Sequence, residues 1–233
     1  SDEFGLRSLE AAGNEIPVAP AEFYAVDEAG VRFTSLNGPA TTEVEIAGPL
    51  KVRLKTTGSC RAEDGTELFR YTVRLTAHDG ESTLRIDPSF MLTGDMRLRR
   101  LREIGLNLGI RIPDARMQAR ADGEVLDLGT QAPVQAVQLF RDSFEVRSAD
   151  GVDQTGEALE GIFELIADGL KCAVGVRRFR EMCPLGFGRD EVGSLAMSVW
   201  PEDVPERWPA DEVDVDRIIH LPFAHQGPLL DFN

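Results

Sequence analysis

Apolar and polar residues alternate with a period of two along most of this chain. In "TTEVEIAGPLKVRLKTTGSC" the apolar positions Val44, Ile46, Leu50, Val52 and Leu54 fall on one face, with charged residues between them. Such alternation is typical of a half-buried antiparallel strand, and the Gly-Pro pair inside the stretch marks a break in it.

The same pattern continues over the next forty residues or so. Turn signals, "EDG" and "HDGES", bracket a run in which apolar residues alternate with Arg and Thr: Phe69, Tyr71, Val73 and Leu75. A following strand is marked by Leu84, Ile86 and Phe90. These successive strands predict a meander, and the phase of Tyr71 predicts core packing rather than catalysis.

The remaining segments extend the β pattern. Residues 98–104 have the spacing of a short helical turn or irregular chain and run into a strand from about Arg102. No amphipathic helix of roughly 12 residues is convincing. The fold class predicted is therefore all-β, an antiparallel, supersandwich-like β-sandwich with few or no long helices. Further strands are predicted at residues 115–121, 134–146, 162–168, 170–182 and 194–200.

Length and termini set the expected domain organisation. The 233 residues are predicted to form one β-sandwich domain, residues 1–233, with an exposed loop rich in proline and acid at residues 201–217. Because the chain opens abruptly at "SDEFG" and closes on an apolar stretch without a stop signal, we expect it to be excised from a longer protein.

Charge and cysteine usage narrow the function classes. A net charge of −15 argues against nucleic acid and against an anionic membrane surface as partners. No stretch reaches the ~18 to 20 apolar residues of a membrane span, so no membrane insertion is expected. Cys60, Cys172 and Cys183 are odd in number and show no CxxC spacing. Cys172 and Cys183 could pair, but buried free thiols are the preferred interpretation.

The stretch "GLKCAVGVRRFREMCP" concentrates arginines at the end of an apolar run. As a continuous strand, it would place Arg178 and Arg180 in phase with Cys172, and Arg177 on the opposite face with Phe179 and Glu181. A half-buried guanidinium needs a carboxylate partner. That partner is either a structural ion pair within the chain or the carboxylate of an acidic sugar held by a bidentate contact.

The order of several motifs resembles a known family. "GPLKVRLKTTGSCRAEDGTELFRYTVRLTAHDGESTLRIDPSFMLTGD" is followed by "VGVRRFREMCP", "SLAMSVWPE" and "HQGPLLDF". Together they resemble the exo-rhamnogalacturonan lyase and YetA-like family, specifically its central β-sandwich domain, over most of residues 48–232. The resemblance implies an extracellular or cell-surface carbohydrate-active protein with a C-terminal helical toroid domain as a partner of this sandwich. The family's aromatic pair before the proline is replaced here by "FREMCP".

A polysaccharide lyase needs a group that neutralises the uronate carboxylate and a base that removes the adjacent proton. The catalytic candidates are Arg178 for neutralisation and His225 as the base, although a structural role for His225 is the simpler alternative. Sugar-binding candidates are Arg177, Arg180, Trp200, Trp208 and Gln226, because arginine pairs with carboxylates and tryptophan stacks on sugar rings. Trp200 continues an apolar run, so capping of the core is its alternative role.

Cofactor chemistry has little support in the sequence. Asp87, Asp95 and the acidic run 211–216 carry the oxygen ligands that Ca²⁺ prefers but lack the spacing of a calcium loop. No cofactor or metal site is therefore predicted, and His78 is expected in a surface turn.

Three functional hypotheses remain open. The first is a central domain that contributes acidic-sugar binding and scaffolds a catalytic domain. The second is a non-catalytic carbohydrate-binding or structural and assembly module. The third is a stand-alone enzyme in which Arg178 and His225 line an inter-sheet groove.

Overall fold

The computed structural model describes residues 9–11, 14–93, 101–112, 114–167, 170–201, 225–226 and 229–230. Over these residues the chain is built from strands, and its one helical piece is the 3₁₀ turn Ser35–Asn37. The predicted all-β class is confirmed. The strands are β1 (Leu9–Ala11), β2 (Asn14–Ile16), β3 (Glu22–Asp27), β4 (Arg32–Thr34), β5 (Ala40–Ala47), β6 (Lys51–Arg61), β7 (Glu67–His78), β8 (Leu84–Leu92), β9 (Leu101–Arg111), β10 (Arg116–Ala121), β11 (Glu124–Gly129), β12 (Val134–Phe140), β13 (Ser143–Ser148), β14 (Gly151–Gly156), β15 (Leu159–Ala167), β16 (Leu170–Gly175), β17 (Leu185–Arg189), β18 (Ser194–Trp200), β19 (His225–Gln226) and β20 (Leu229–Leu230).

The strands assemble into one large sheet and two small ones. The 14-stranded sheet runs β14-β13-β12-β17-β18-β9-β3-β4-β6-β7-β8, with β5 added to β6, β20 added to β9, and β19 added to β20. A four-stranded sheet runs β11-β10-β15-β16, and β1 pairs with β2. The strand pairs in these described parts are antiparallel, as the alternation predicts.

Two apolar clusters form the core. One gathers Phe23, Phe69 and Leu106 from β3, β7 and β9, together with Trp200 from β18. The other joins residues of the four-stranded sheet, such as Phe163, to Phe187 and other residues of β12, β13 and β17. The four-stranded sheet and the β12–β18 half of the large sheet are therefore the two layers of a sandwich.

Some sequence expectations about strands need correction. The strand predicted over residues 134–146 is two strands, β12 and β13, which turn at residues 141–142. The strand predicted over residues 170–182 ends at Gly175. Ile46 does not share a face with Val44, because a bulge in β5 pairs Ile46 with Arg53. Strands β11, β14 and β17 had no counterpart in the predicted set.

Other expectations agree with the structure. Tyr71 is 2% exposed and belongs to the core. None of the three cysteines forms a disulfide; Cys60 and Cys183 are buried, and Cys172 is half-buried. β9 begins at Leu101, next to the expected Arg102, whereas residues 98–100 and most of the predicted loop 201–217 lie outside the described residues. Within the described residues, no helix is long and apolar enough to cross a bilayer.

Candidate functional site

The chain leaves the four-stranded sheet immediately after β16. The amide of Val176 donates to the carbonyl of Gly161 at 2.7 Å, and the amide of Met182 donates to the carbonyl of Arg178 at 3.0 Å. Between these two bonds Arg178 takes a left-handed conformation with φ of 58°. Residues 176–183 are therefore a tight turn rather than the end of a strand, and we call them the arginine turn.

Phe179 anchors the arginine turn to the core. Its side chain is 1% exposed, and its ring meets Phe163 of β15 edge to face, with 5.3 Å between the ring centroids. Phe163 in turn contacts Phe187 of β17, with centroids 4.6 Å apart. Burial of one aromatic side chain from the middle of the turn explains why the backbone departs from the sheet here.

The arginines on either side of Phe179 are exposed. The side chains of Arg177 and Arg178 make no hydrogen bond or ion pair within the described residues, and Arg180 donates its Nε–H to the carbonyl of Arg141. The expected alternation is wrong here, because Arg178 and Arg180 do not continue the half-buried side of Cys172. An internal ion pair, the simpler of the two alternatives, is not found for these arginines among the described residues.

The arginine turn is thus a local concentration of positive charge. It carries three arginines and one acid, Glu181, which is also exposed, in a chain whose net charge is −15. Arg177 and Arg178 keep all their guanidinium donors available for a carboxylate from outside, and Arg180 keeps those of its two terminal nitrogens. The arrangement is chemically suited to bind an acidic ligand.

The other predicted site residues do not join this turn in the described part of the chain. Trp200 is 1% exposed and packs in the first core cluster, so capping of the core is its observed role. His225 and Gln226 form β19, which pairs with β20, and Leu230 of β20 pairs with Leu101. Trp208 and the side chains of His225 and Gln226 lie outside the described residues.

A polar network on the large sheet had no counterpart in the sequence predictions. The Tyr24 hydroxyl donates to Glu103 Oε1 at 2.6 Å, and the guanidinium carbon of Arg32 lies 4.1 Å from the centre of the Tyr24 ring. Gln135 Nε2 donates to Ser198 Oγ at 2.6 Å. Burial, and secondarily the nearby Glu103 carboxylate, raises the pKa of Tyr24. These contacts connect strands β4, β3, β9, β18 and β12 of the large sheet.

Glycines make room for that network. A side chain at Gly105 would place its Cβ 2.4 Å from the Tyr24 ring, and one at Gly186 would place it 2.8 Å from Gln135 Nε2. Gly105, Ser198 and Gly186 are direct cross-strand partners in neighbouring strands. The signal in the sequence was therefore one glycine inside β9 and another inside β17. The sequence alone does not show that these glycines face Tyr24 and Gln135.

Arg189 is a buried arginine whose hydrogen-bond partners lie within the chain. It is 5% exposed, with Nη1 2.9 Å from the carbonyl of Ala115 and Nη2 at 3.1 and 2.9 Å from the carbonyls of Gly129 and Gln131. Burial lowers the pKa of Arg189. Backbone carbonyls, rather than carboxylates, accept from both terminal nitrogens of this guanidinium, whereas its buried Nε–H has no partner within the described residues. The role of Arg189 is therefore to clamp the β11–β12 loop. Of the exposed arginines in the turn, only Arg180 donates to a backbone carbonyl, that of Arg141, and the side chains of Arg177 and Arg178 have no such role within the described residues.

No metal centre is found in the described portion of the chain, where no three His, Cys, Asp or Glu side chains are arranged to hold an ion. Asp87 is paired with Arg85 at 2.8 Å. Asp95 and the acidic run 211–216 lie outside that portion. His78 ends β7 and is exposed, with Nδ1 3.6 Å from Glu81 Oε2.

Comparison with known proteins identifies one family. Residues 25–120 match the family described as the PcRGLX-like protein central beta sandwich domain. The matched segment runs from within β3 to within β10 and confirms the resemblance over that part of the chain. It begins before Gly48, the residue at which the resemblance was expected to start. The arginine turn lies beyond it. Searches of curated proteins and of solved structures found no match.

Proposed function

We propose that this chain is the central β-sandwich domain of a carbohydrate-active protein related to exo-acting rhamnogalacturonan lyases, and that it binds acidic sugar through the arginine turn. The family match over residues 25–120 supports the domain assignment. The observation that carries the binding proposal is the turn itself: Arg177, Arg178 and Arg180 are exposed and form no ion pair within the described residues. In this proposal the domain also scaffolds a catalytic domain.

The expected affinity is modest. An exposed guanidinium–carboxylate contact contributes about 0 to 1 kcal/mol, so three of them hold one short oligosaccharide only weakly. A polymer with a uronate in every repeat presents many carboxylates, and rebinding along it raises the apparent affinity. We therefore expect millimolar binding of short uronate oligosaccharides and tighter retention of the polymer.

The direct test compares binding of rhamnogalacturonan oligosaccharides with binding of the same oligosaccharides after reduction of their carboxylates. The proposal expects binding of the first and loss of binding with the second. Replacing Arg177 and Arg180 with Gln, and Arg178 with Asn, should abolish binding. Asn is chosen at position 178 because it tolerates the φ of 58° found there.

The control is Arg85→Gln, which removes an exposed arginine from β8, the strand at one edge of the large sheet, and should leave binding unchanged. Equal loss in the control and the turn variant would show that only overall charge matters. Binding that ignores reduction of the carboxylates would overturn the proposal. Formation of unsaturated product, followed by its ultraviolet absorbance, distinguishes an active lyase from a binding module.

A further inference from the structure

Strands β5, β6, β7 and β8 lie side by side and have two different faces. On one face Glu43, Lys55, Arg74 and Asp87 are cross-strand partners in a single row. Lys55 contacts Glu43 at 2.8 Å, and Arg74 contacts Glu45 at 3.0 Å. This face is charged, and its side chains neutralise one another, so it needs no partner to be stable in water.

The opposite face is buried in the core at one end of the strands and becomes exposed towards the other end. On β7, Phe69, Tyr71 and Val73 are at most 2% exposed, Leu75 is partly buried, and Ala77 is exposed. These residues lie on one face of the strand, because side chains two apart point to the same side. The apolar face that lines the first core cluster therefore extends beyond the cluster, and no described residue covers its outer part.

Two cross-strand rows form this continuation. Val44, Leu54, Leu75 and Ile86 form one row, and Ala47, Val52, Ala77 and Leu84 form the next. We call these eight residues the outer apolar face. Val44 is 61% exposed, Val52 is 44% exposed and Leu84 is 38% exposed. A contiguous apolar face of this kind is a typical contact surface, unlike single exposed apolar residues.

Charge indicates which partner fits this face. Residues 40–92 contain eight acids and seven bases, a net charge of −1, whereas the whole chain carries −15. Repulsion between two copies of this chain is therefore concentrated outside these four strands. Here the copies can approach each other with the least electrostatic cost.

We propose that the outer apolar face is the contact through which two copies of this chain associate, face to face and related by a two-fold axis. A flat apolar face is self-complementary, as such a symmetric contact requires. Four strands at ~4.8 Å spacing and two rows that each occupy ~6.6 Å along the strands span roughly 250 Å². That is about a third of the ~800 Å² per partner of a standard interface, so the dimer is a weak one that depends on protein concentration.

The test measures molar mass against protein concentration by analytical ultracentrifugation, from low to high micromolar. The expected result is a monomer at the dilute end and a dimer at the concentrated end. Val52→Glu and Leu84→Glu each bury an unpaired charge in the contact and should weaken the dimer by at least about tenfold. Both side chains are already partly exposed, so the variants should keep the circular dichroism spectrum of the original chain.

The matched control is Thr57→Glu, which adds the same charge to the same strand on the opposite, exposed face and should leave the dimer unchanged. Hydrogen exchange at high and low concentration provides a readout that needs no variant, with added protection expected in β5–β8. A chain that stays monomeric throughout, or a dimer that Val52→Glu does not weaken, overturns the proposal. Neither result bears on the arginine turn, whose binding test stands separately.

Discussion

The rings of Phe163 and Phe179 meet edge to face, with 5.3 Å between their centroids and 66° between their planes. This contact attaches the arginine turn to the four-stranded sheet, because Phe163 lies in β15 and Phe179 lies between the exposed arginines. The geometry of the proposed binding surface therefore depends on one buried side chain that touches no ligand.

Removal of the Phe179 ring should destabilise the protein and disorganise the turn. For a fully buried phenylalanine, Phe179→Ala is expected to cost about 3 to 5 kcal/mol of unfolding free energy, as measured by urea titration. Phe179→Leu should cost clearly less, since it leaves most of the apolar volume in place. Uronate binding should fall in the Ala variant at temperatures where it is still folded. Unchanged binding there would show that the turn does not need its anchor.

A glycine beneath the turn should be equally sensitive. Gly161 has φ of 72°, and a Cβ added to it would lie 2.5 Å from both Phe179 Cβ and the carbonyl oxygen of Val176. Gly161→Ala therefore combines backbone strain of about 1 to 2 kcal/mol with a steric clash of about 1 to 3 kcal/mol. The measurement is again the free energy of unfolding in urea.

Gly123→Ala is the control for that prediction. Gly123 has φ of 82°, yet nothing lies within 4 Å of its added Cβ. It should lose only the strain component, about 1 to 2 kcal/mol. If the two variants lose equal stability, the close approach of Phe179 and Val176 to Gly161 has no energetic weight.

The sequence predicted strands best where one face of a strand is buried and the other is solvated. β7 follows its alternation closely, because Phe69, Tyr71 and Val73 line a core while the residues between them are more exposed. β14 was missed because it is almost wholly exposed, with the sequence "GVDQTG", so no apolar period marks it. β17 was missed because glycine occupies two of its five positions.

The arginines were recognised, but their placement was wrong. Alternation can be extrapolated only while the backbone stays extended, and Arg178 adopts a left-handed conformation that nothing in the local sequence signals. The burial of Phe179 against Phe163 is a tertiary contact and cannot be deduced from spacing. The polar network around Tyr24 escaped prediction for the same reason, since its members are assembled from five strands.

Acid should weaken the four-stranded sheet through Asp127. The hydrogen bond from Arg116, with a second from the amide of Gly129 at 3.0 Å, lowers the pKa of Asp127 to about 2. Because the folded-state pKa is below the ordinary value of ~3.9, the stabilisation is complete above about pH 4. It is lost as the pH falls through about 2. Urea unfolding measured across this range should show stability falling with acid.

Asp127→Asn should reduce that acid dependence, because no proton is then taken up at this position on unfolding. Asp153→Asn, which removes an exposed carboxylate with no ion pair among the described residues, is the comparison and should preserve it. If both variants keep the full pH dependence of the original chain, the pair with Arg116 does not contribute to acid stability.

Gln138 should be among the most sensitive polar residues in the chain. Its side chain is buried, and Nε2 lies 2.5 Å from the carbonyl of Phe140, 3.2 Å from that of Ser143 and 3.0 Å from that of Glu157. Its Oε1 accepts the amide of Leu159 at 2.7 Å. One side chain therefore joins the turn between β12 and β13 to the start of β15, which links the two layers of the sandwich.

Gln138→Ala removes the partner of the buried Leu159 amide and of three carbonyls whose hydrogen bonds are partly buried. Since an unsatisfied group costs about 1 to 3 kcal/mol, we expect a loss of about 3 kcal/mol in urea unfolding. Gln135→Ala, on the same strand, removes one hydrogen bond from a partly buried side chain and should cost about 1 kcal/mol. Since β15 carries Phe163, loosening its start should also weaken uronate binding in Gln138→Ala and leave it intact in Gln135→Ala. A Gln138 variant no less stable than the Gln135 variant would mean that water replaces the lost contacts, and that the two layers hold together without this link.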